Sequence, residues 1–189
     1  MREHSPVGYR PTWAEVDLNN IAFNLTQIKK LLKQGIKVMV TIKADAYGHG
    51  LIPVARKLLA CGIDYLAVAS IDEGIVLRQA NIQAPILVLG MILKHDIDPL
   101  FTHDLSATVC TEDLARAINR RASHFDKRVN VHIKIDTGMG RLGVMHEDAF
   151  TLIRKVHALK NLSIEGIFTH FAFADMDKEF THYQIDLFN

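Results

Sequence analysis

The chain alternates between strand-like and helix-like segments about every 20 to 30 residues, and this pattern limits its possible folds more than any other feature. Apolar segments with the length of strands lie at 37–43, 65–70, 85–90, 104–110, 128–136 and 162–171. Segments with the apolar spacing of amphipathic helices lie at 21–32, 51–60, 72–80, 111–122, 146–159 and 177–189. Because parallel strands need long crossover connections that are usually helical, the alternation predicts a mainly parallel sheet covered by helices.

Two α/β architectures accept this pattern, the doubly wound open sheet and the (β/α)8 TIM-type barrel. A closed barrel has eight strands and typically about 250 residues, whereas this chain of 189 residues shows six strand-like segments from residue 37 onward. The last segment, 177–189, ends inside a helical pattern without a glycine or proline stop. We therefore expect an incomplete barrel, with about six of its eight strands present.

A short segment precedes this regular repeat. The residues TWAEVDL at 12–18 are strand-like. No proline-, glycine- or serine-rich linker interrupts the pattern that follows them. The predicted organisation is therefore an amino-terminal segment, 1–18, with a strand outside the barrel, and a partial barrel over 19–189.

Charge and composition argue against several classes of function. The net charge is +1 and no block of like charges occurs, so no nucleic-acid partner is expected. No apolar run approaches the roughly 20 residues of a membrane span, and the first residues lack the apolar stretch of a secretory signal. The two cysteines form no CxxC pair and the ten histidines show no HExxH spacing, so we expect a cytoplasmic protein without a metal.

The segment TIKADAYGHG at 41–50 places an ammonium group at the end of an apolar strand. Lys43 by itself would usually be a surface lysine whose stem packs on the protein. However, active groups in barrels and open sheets lie at the carboxyl ends of strands, and lysine is the side chain that forms a Schiff base with a carbonyl compound. Tyr47 could donate a hydrogen bond to a phosphate, and Gly48 and Gly50 would let the backbone approach a ligand.

A second candidate loop, KIDTGMGRLG at 134–143, matches the GxGxxG pattern of dinucleotide-binding turns. That motif leads directly into a helix, whereas the helical pattern here begins only near His146. The loop is better explained as a carrier for Arg141, whose planar guanidinium binds carboxylate or phenolate oxygens. Lys134 and Asp136 flank it, and simple charge balance also explains their presence.

The sixth strand-like segment, 162–171, brings His170 to the end of a strand. A lone histidine is more often a satisfied core group than a functional one. Its place at a strand end, like those of Lys43 and Arg141, makes the functional role an equal alternative.

Four segments together resemble the amino-terminal half of the alanine racemase family. They are WAEVDLNNIAFNL, IKADAYGHG, KIDTGMGRLG and FTHFAFAD, in that family's order and at its spacings. The resemblance runs from about residue 11 to the end of the chain. It implies pyridoxal 5'-phosphate (PLP) as cofactor, alanine as substrate, a fold-type III barrel followed by a carboxyl-terminal β domain, a homodimer, and a supply of D-alanine for peptidoglycan.

The same resemblance implies a role for each candidate residue. Lys43 would hold PLP as an internal aldimine and act as one racemisation base. Tyr47 would bind the cofactor phosphate, and Arg141 would contact the cofactor phenolate and the substrate carboxylate. His170 would lie against the cofactor ring. Lys134 matches a position that is carbamylated in some family members, where it steadies the arginine.

Racemisation is most direct with one base on each face of the substrate, and in the family a tyrosine of the partner subunit's carboxyl-terminal domain is the second. Because the 189 residues end before that domain, the isolated chain is expected to be inactive. Other functions remain open: a single-domain PLP-binding homeostasis-type barrel, a serine racemase, an amino-acid decarboxylase, and a dehydrogenase that uses the glycine loop.

Overall fold

The computed structural model describes residues 12–189 and contains a parallel sheet. Its strands are Met39–Thr41 (β1), Tyr65–Val68 (β2), Ile86–Val88 (β3), Ser106–Val109 (β4), Val129–Asp136 (β5), Val144–Met145 (β6) and Leu162–Phe168 (β7). The main order is β1-β2-β3-β4-β5-β7, and the short β6 pairs with the end of β5. No ladder joins β1 to β7 within the described residues, so the sheet is open there.

Helices connect the strands. They are Leu18–Leu31 (α1), Lys43–Gly48 (α2), Leu51–Ala60 (α3), Ile71–Gln79 (α4), Asp98–Thr102 (α5), Glu112–Phe125 (α6), Ala149–His157 (α7) and Lys178–Phe188 (α8), with a 3₁₀ turn at His146–Asp148. Side-chain oxygens cap the first turns of α1, α4, α6 and α8, from Asp17, Ser70, Thr111 and Asp177. Across residues 12–189, no helix is both long and apolar enough to cross a membrane.

The core lies between the sheet and the helices that pack on it. β3 and β4 are buried along their whole lengths, as strands covered on both faces should be. Leu66, Val88 and Ile133 contribute one fully buried side chain from each of three strands. Ile118 of α6 and Val156 of α7 belong to the same apolar cluster. This packing fixes the strand ends, where the candidate site residues lie.

All six barrel strands expected from the sequence are present and parallel, which confirms the predicted α/β class. The structure also contains α5 and β6, which the sequence pattern did not indicate. Their lengths of 5 and 2 residues explain this, because such short segments carry no measurable periodicity.

The strand predicted at 12–18 is wrong. Residues 12–17 have no regular structure, and Leu18 begins α1. A strand needs a hydrogen-bonded neighbour, and no described strand pairs with this segment. Asp17 instead caps α1, because its carboxylate accepts a hydrogen bond from the N–H of Asn19 at 2.8 Å. Residues 1–11 of the predicted amino-terminal segment lie outside the described residues.

Candidate active site

β1 is followed almost at once by a single left-handed helical turn. Lys43 is the first residue of that turn, and all residues of Ala44–Tyr47 have φ angles between 51° and 56°. Left-handed geometry costs an L-residue roughly 1–2 kcal/mol, because its Cβ approaches a carbonyl oxygen, so surrounding contacts must hold the turn. The bend therefore begins at Ala44, before Gly48 and Gly50, whose φ angles are 81° and 93°.

Hydrogen bonds to Asp45 hold the far end of this turn. The N–H of Gly50 donates to the Asp45 carbonyl at 2.9 Å, and the N–H of Leu51 donates to its carboxylate at 2.6 Å. Ala46, in the middle of the turn, is 3% exposed and packs into the core. The turn thus has one well-defined path between β1 and α3.

Four positive or potentially positive groups lie near one another at the carboxyl-terminal edge of the sheet. Burial lowers the pKa of His170 below its ordinary value, and nearby positive charges lower it further. These charges belong to Lys134, Arg141 and Lys43. The segments after β1, β5 and β7 therefore bring three of the predicted site residues within electrostatic range of one another and of Lys134, which lies near the end of β5.

Lys134 is the most buried member of this group, at 5% exposed. Burial lowers its pKa below the ordinary value, and the neighbouring Arg141 lowers it further. Its Nζ lies 5.6 Å from the ring centroid of Phe168, and it forms no hydrogen bond or ion pair with another described residue. A larger fraction of this amine is therefore neutral and nucleophilic than in an exposed lysine.

Asp136 shapes the glycine loop that carries Arg141. Its carboxylate accepts hydrogen bonds from the N–H groups of Gly138 at 2.9 Å and Gly140 at 3.1 Å. Burial tends to raise the pKa of Asp136, but the backbone hydrogen bonds outweigh it and hold this pKa below its ordinary value. A Cβ at Gly143 would lie 2.6 Å from the backbone nitrogen of Asp136, so close packing accounts for the third glycine.

The same loop does not have the geometry of a dinucleotide-binding turn. After Gly143 the chain forms β6 and a 3₁₀ turn before α7 begins at Ala149. In a dinucleotide-binding turn the third glycine lies in the helix that receives the pyrophosphate. The glycines here instead permit a tight return of the backbone along β5.

A buried glutamine of α8 ties together the ends of β5 and β7. Gln184 is fully buried, and its Nε2 donates to the hydroxyl of Thr137 at 3.1 Å and to the carbonyl of His170 at 3.3 Å. Its Oε1 accepts from the N–H of Ala172 at 2.9 Å. The hydroxyls of Thr137 and Thr169 are 2.7 Å apart. This satisfied network fixes the backbone on both sides of His170.

Tyr47 ends the left-handed turn beside Lys43. The Lys43 Nζ lies 6.0 Å from the centroid of the Tyr47 ring. The tyrosine is 59% exposed, so its hydroxyl is accessible to a ligand next to the lysine.

The structure thus brings together the side chains singled out in the sequence, which are Lys43, Tyr47, Lys134, Arg141 and His170. The sequence analysis missed Gln184 and also Glu73, which contacts the backbone next to Lys43. A signal for Gln184 was present: it lies four residues from both Phe180 and Phe188, on the apolar face of α8. Polar residues on such a face need hydrogen-bond partners.

Comparisons with known proteins agree with this geometry. The family model for the N-terminal domain of alanine racemase matches residues 16–189. The alanine racemase of Halothermothrix orenii is 48% identical over 180 residues, which make up 95% of this chain and 48% of that protein. The alanine racemase of Carboxydothermus hydrogenoformans is 45% identical over 181 residues, or 95% of this chain and 49% of that protein. The chain therefore spans about half the length of these relatives.

Solved structures show the same correspondence. The alanine racemase of Clostridium difficile 630 in complex with cycloserine superposes with a TM-score of 0.91 at 42% identity, over 95% of this chain and 50% of that one. A histidine racemase from Leuconostoc mesenteroides subsp. sake superposes with a TM-score of 0.84 at 26% identity, over 90% of this chain and 46% of that one. These matches confirm that the sheet is the incomplete barrel expected from the sequence. The chain belongs to the family defined by the amino-terminal domain of alanine racemase.

Proposed function

We propose that this chain forms the part of an alanine racemase that binds PLP and supplies one acid/base group for the interconversion of L-alanine and D-alanine. The observation that carries the proposal is the convergence of Lys43, Lys134, Arg141 and His170 at one edge of the sheet. The family and the names of the relatives support the choice of reaction and substrate.

These residues fit PLP chemically. The cofactor carries a phosphate, a phenolate and an aldehyde, so it requires positive charge, hydrogen-bond donors and one nucleophilic amine. Lys43 would attach the aldehyde carbon through Nζ, and Tyr47 would donate its hydroxyl to the phosphate. Arg141 would bind the phenolate and the substrate carboxylate with its planar guanidinium, and His170 would pack beside the ring.

Bound PLP would supply a conjugated ring that stabilises negative charge on the substrate Cα. Lys43, freed when the substrate amine takes its place, would take a proton from one face of this carbon in one direction of the reaction and would donate a proton to that face in the reverse direction. Arg141 would hold the carboxylate so that the Cα–H bond points at Nζ. In the whole protein, a homodimer would bring a second acid/base group to the opposite face.

His170 is suited to a neutral supporting role. Because its pKa lies below the ordinary value, the imidazole is mostly uncharged near pH 7. It can therefore pack against an aromatic ring without adding charge to a site that already contains Lys43, Lys134 and Arg141. Gln184 holds the His170 backbone in place through its carbonyl.

The isolated 189-residue chain should bind PLP but racemise alanine at least about 100-fold more slowly than a full-length relative. One missing acid/base group typically costs about 10²–10⁴ in rate. PLP uptake is measured by the absorbance of the bound cofactor, and turnover by the appearance of D-alanine. The alanine racemase of Halothermothrix orenii serves as the positive control.

The two measurements have separate consequences. Failure to bind PLP would refute the proposed function. Turnover close to that of the positive control would instead refute the requirement for a second acid/base group.

Product analysis with serine, histidine and alanine would separate alanine racemisation from other racemisations and from decarboxylation. The structural match to a histidine racemase makes histidine the most useful second substrate.

We also propose a cytoplasmic location, where the D-alanine would be available for peptidoglycan synthesis. The two cysteines of the described residues, Cys61 and Cys110, are both free thiols, which fits a reducing compartment.

Lys134 is a candidate for carbamylation. Its amine is buried, has a lowered pKa and lies near Arg141, so a negative charge at this position would pair with the guanidinium. Neutral Nζ would attack carbon dioxide, form an N–C bond and release one proton. The product is a carbamate anion, so position 134 carries a negative charge in place of the positive charge of lysine. This negative charge would pair with the Arg141 guanidinium and hold it in place.

With ¹³C-labelled bicarbonate, the chain should show one carbamate signal by NMR that is absent from Lys134→Met. The neutral fraction of the amine rises with pH, so the signal should increase as the pH is raised. Lys94→Met is the matched control, because Lys94 is exposed and pairs with Asp113 at 2.6 Å. A signal that persists in Lys134→Met, or that is lost in Lys94→Met, would contradict the assignment.

A further inference from the structure

Glu73, in the first turn of α4, connects two backbone segments at the carboxyl-terminal edge of the sheet. Its Oε1 accepts a hydrogen bond from the N–H of Ala44 at 2.6 Å, and its Oε2 accepts one from the N–H of Ala69 at 2.7 Å. Ala44 directly follows Lys43, and Ala69 directly follows β2. A single carboxylate therefore joins the segment after β1 to the segment after β2.

The contact with Ala44 lies where the backbone most needs support. Ala44 is the first of four consecutive non-glycine residues with positive φ angles. Residues in such conformations persist only where the surrounding structure determines them. Asp45 holds the far end of the turn through the N–H of Leu51, and Glu73 supplies the corresponding side-chain contact at the near end.

We propose that Glu73 is a positioning residue for Lys43. Its carboxylate holds the left-handed turn in place, so that the Lys43 amine stays directed toward Arg141, Lys134 and His170. The proposal rests on the proposed function, in which the task of this amine is to attach PLP. It extends that function by naming what fixes the amine, which is a carboxylate 30 positions further along the chain.

A simpler role for Glu73 would be to stabilise α4, because negative charge in the first turn of a helix interacts favourably with the helix dipole. Asp72 lies in the same turn and carries the same charge, but it forms no hydrogen bond with another described residue. A role limited to the helix dipole predicts similar effects for changes at the two positions. The positioning role predicts effects at Glu73 alone, which makes Asp72 the matched control.

The first test uses the cofactor-free 189-residue chain. Glu73→Gln preserves size but turns an NH₂ group toward one of the two backbone N–H donors. Hydrogen exchange at the Ala44 and Ala69 amides, measured by NMR, should become about 10-fold faster for at least one of them, as expected for one lost hydrogen bond. Asp72→Asn removes the same charge from the same turn and should leave both rates unchanged.

The second test measures PLP affinity, together with the fraction of Lys43 that borohydride fixes to the cofactor. Glu73→Gln should weaken PLP binding about 10-fold, the equivalent of one hydrogen bond. Glu73→Asp, with a carboxylate one methylene shorter, should keep one of the two contacts and bind PLP more tightly than Glu73→Ala. Asp72→Asn should match the unchanged chain.

These outcomes separate the two proposals. If the unchanged chain takes up no PLP, the proposed function fails, whereas amide exchange still reports on the turn. Equal amide exchange and equal PLP affinity in Glu73→Gln and the unchanged chain would overturn the positioning role. An equal loss in Asp72→Asn would also overturn it. If Glu73→Gln does not fold, Glu73→Asp is compared with Asp72→Asn by the same two measurements.

Discussion

Replacing Lys43 with alanine should abolish the covalent attachment of PLP, whereas replacing Lys37 with alanine should leave it intact. The two lysines flank β1 at opposite ends. Lys43 lies within electrostatic range of Lys134 and His170, while the ammonium of Lys37 lies 5.7 Å from the ring centroid of Tyr65, at the start of β2. The link to the aldehyde requires a primary amine, so alanine at position 43 removes the attachment point.

Borohydride reduction followed by peptide mass spectrometry measures this effect. The unchanged chain and Lys37→Ala should each carry one cofactor on the peptide that contains Lys43, and Lys43→Ala should carry none. The informative contrary result is an adduct on Lys134 in the unchanged chain, because that amine is also buried beside Arg141 and has a lowered pKa. Such an adduct would transfer the attachment role from Lys43 to Lys134.

The strands could be predicted because each leaves a strong local signal. β3 is apolar along its whole length and is buried throughout, as expected of a strand covered on both faces. β4 is also buried throughout, although it contains Ser106 and Thr108 between apolar residues. The candidate site followed from one further rule, that parallel strands bring their carboxyl ends to a common edge. Lys43, Arg141 and His170 all follow strands, and the structure places them within electrostatic range of one another.

The parts that could not be predicted depend on contacts between distant residues. Nothing in the letters KADAY indicates a left-handed turn, because Ala44 and Ala46 are ordinary helix formers. The Ala44 N–H in this turn donates a hydrogen bond to the carboxylate of Glu73, which is 29 positions away in the sequence. Gln184 similarly contacts Thr137 across 47 positions. Local preference fails at the turn because tertiary contacts override it, as is expected next to a functional site.

The strand wrongly predicted at 12–18 illustrates the opposite error. Its composition is strand-like, but composition alone supplies no hydrogen-bonded neighbour, and no described strand lies beside it. The local signal that proved decisive was Asp17, a preferred helix-capping residue placed directly before α1.

A network around Arg78 stabilises the carboxyl-terminal end of α4, whereas Glu73 lies in its first turn. Its Nη1 donates to the carbonyls of Ile82 at 2.6 Å and Ala84 at 2.8 Å. Its Nε donates to the carbonyl of His103 at 2.9 Å, and its Nη2 donates to that of Asp104 at 2.8 Å. Burial lowers the pKa of Arg78 below its ordinary value, although the guanidinium remains charged. One side chain therefore connects α4 to the loops before β3 and β4.

Arg78→Met should lower the free energy of unfolding by about 3 kcal/mol, because it leaves several backbone carbonyls without a charged donor. For a chain of this size, that loss corresponds to a melting temperature about 6–12 °C lower. Arg116→Met is the matched control, since Arg116 forms an exposed ion pair with Glu112 at 2.7 Å that is worth about 0.5 kcal/mol or less. Thermal unfolding followed by circular dichroism measures both variants. Equal shifts for the two would show that the carbonyl network around Arg78 adds nothing beyond an ordinary surface charge.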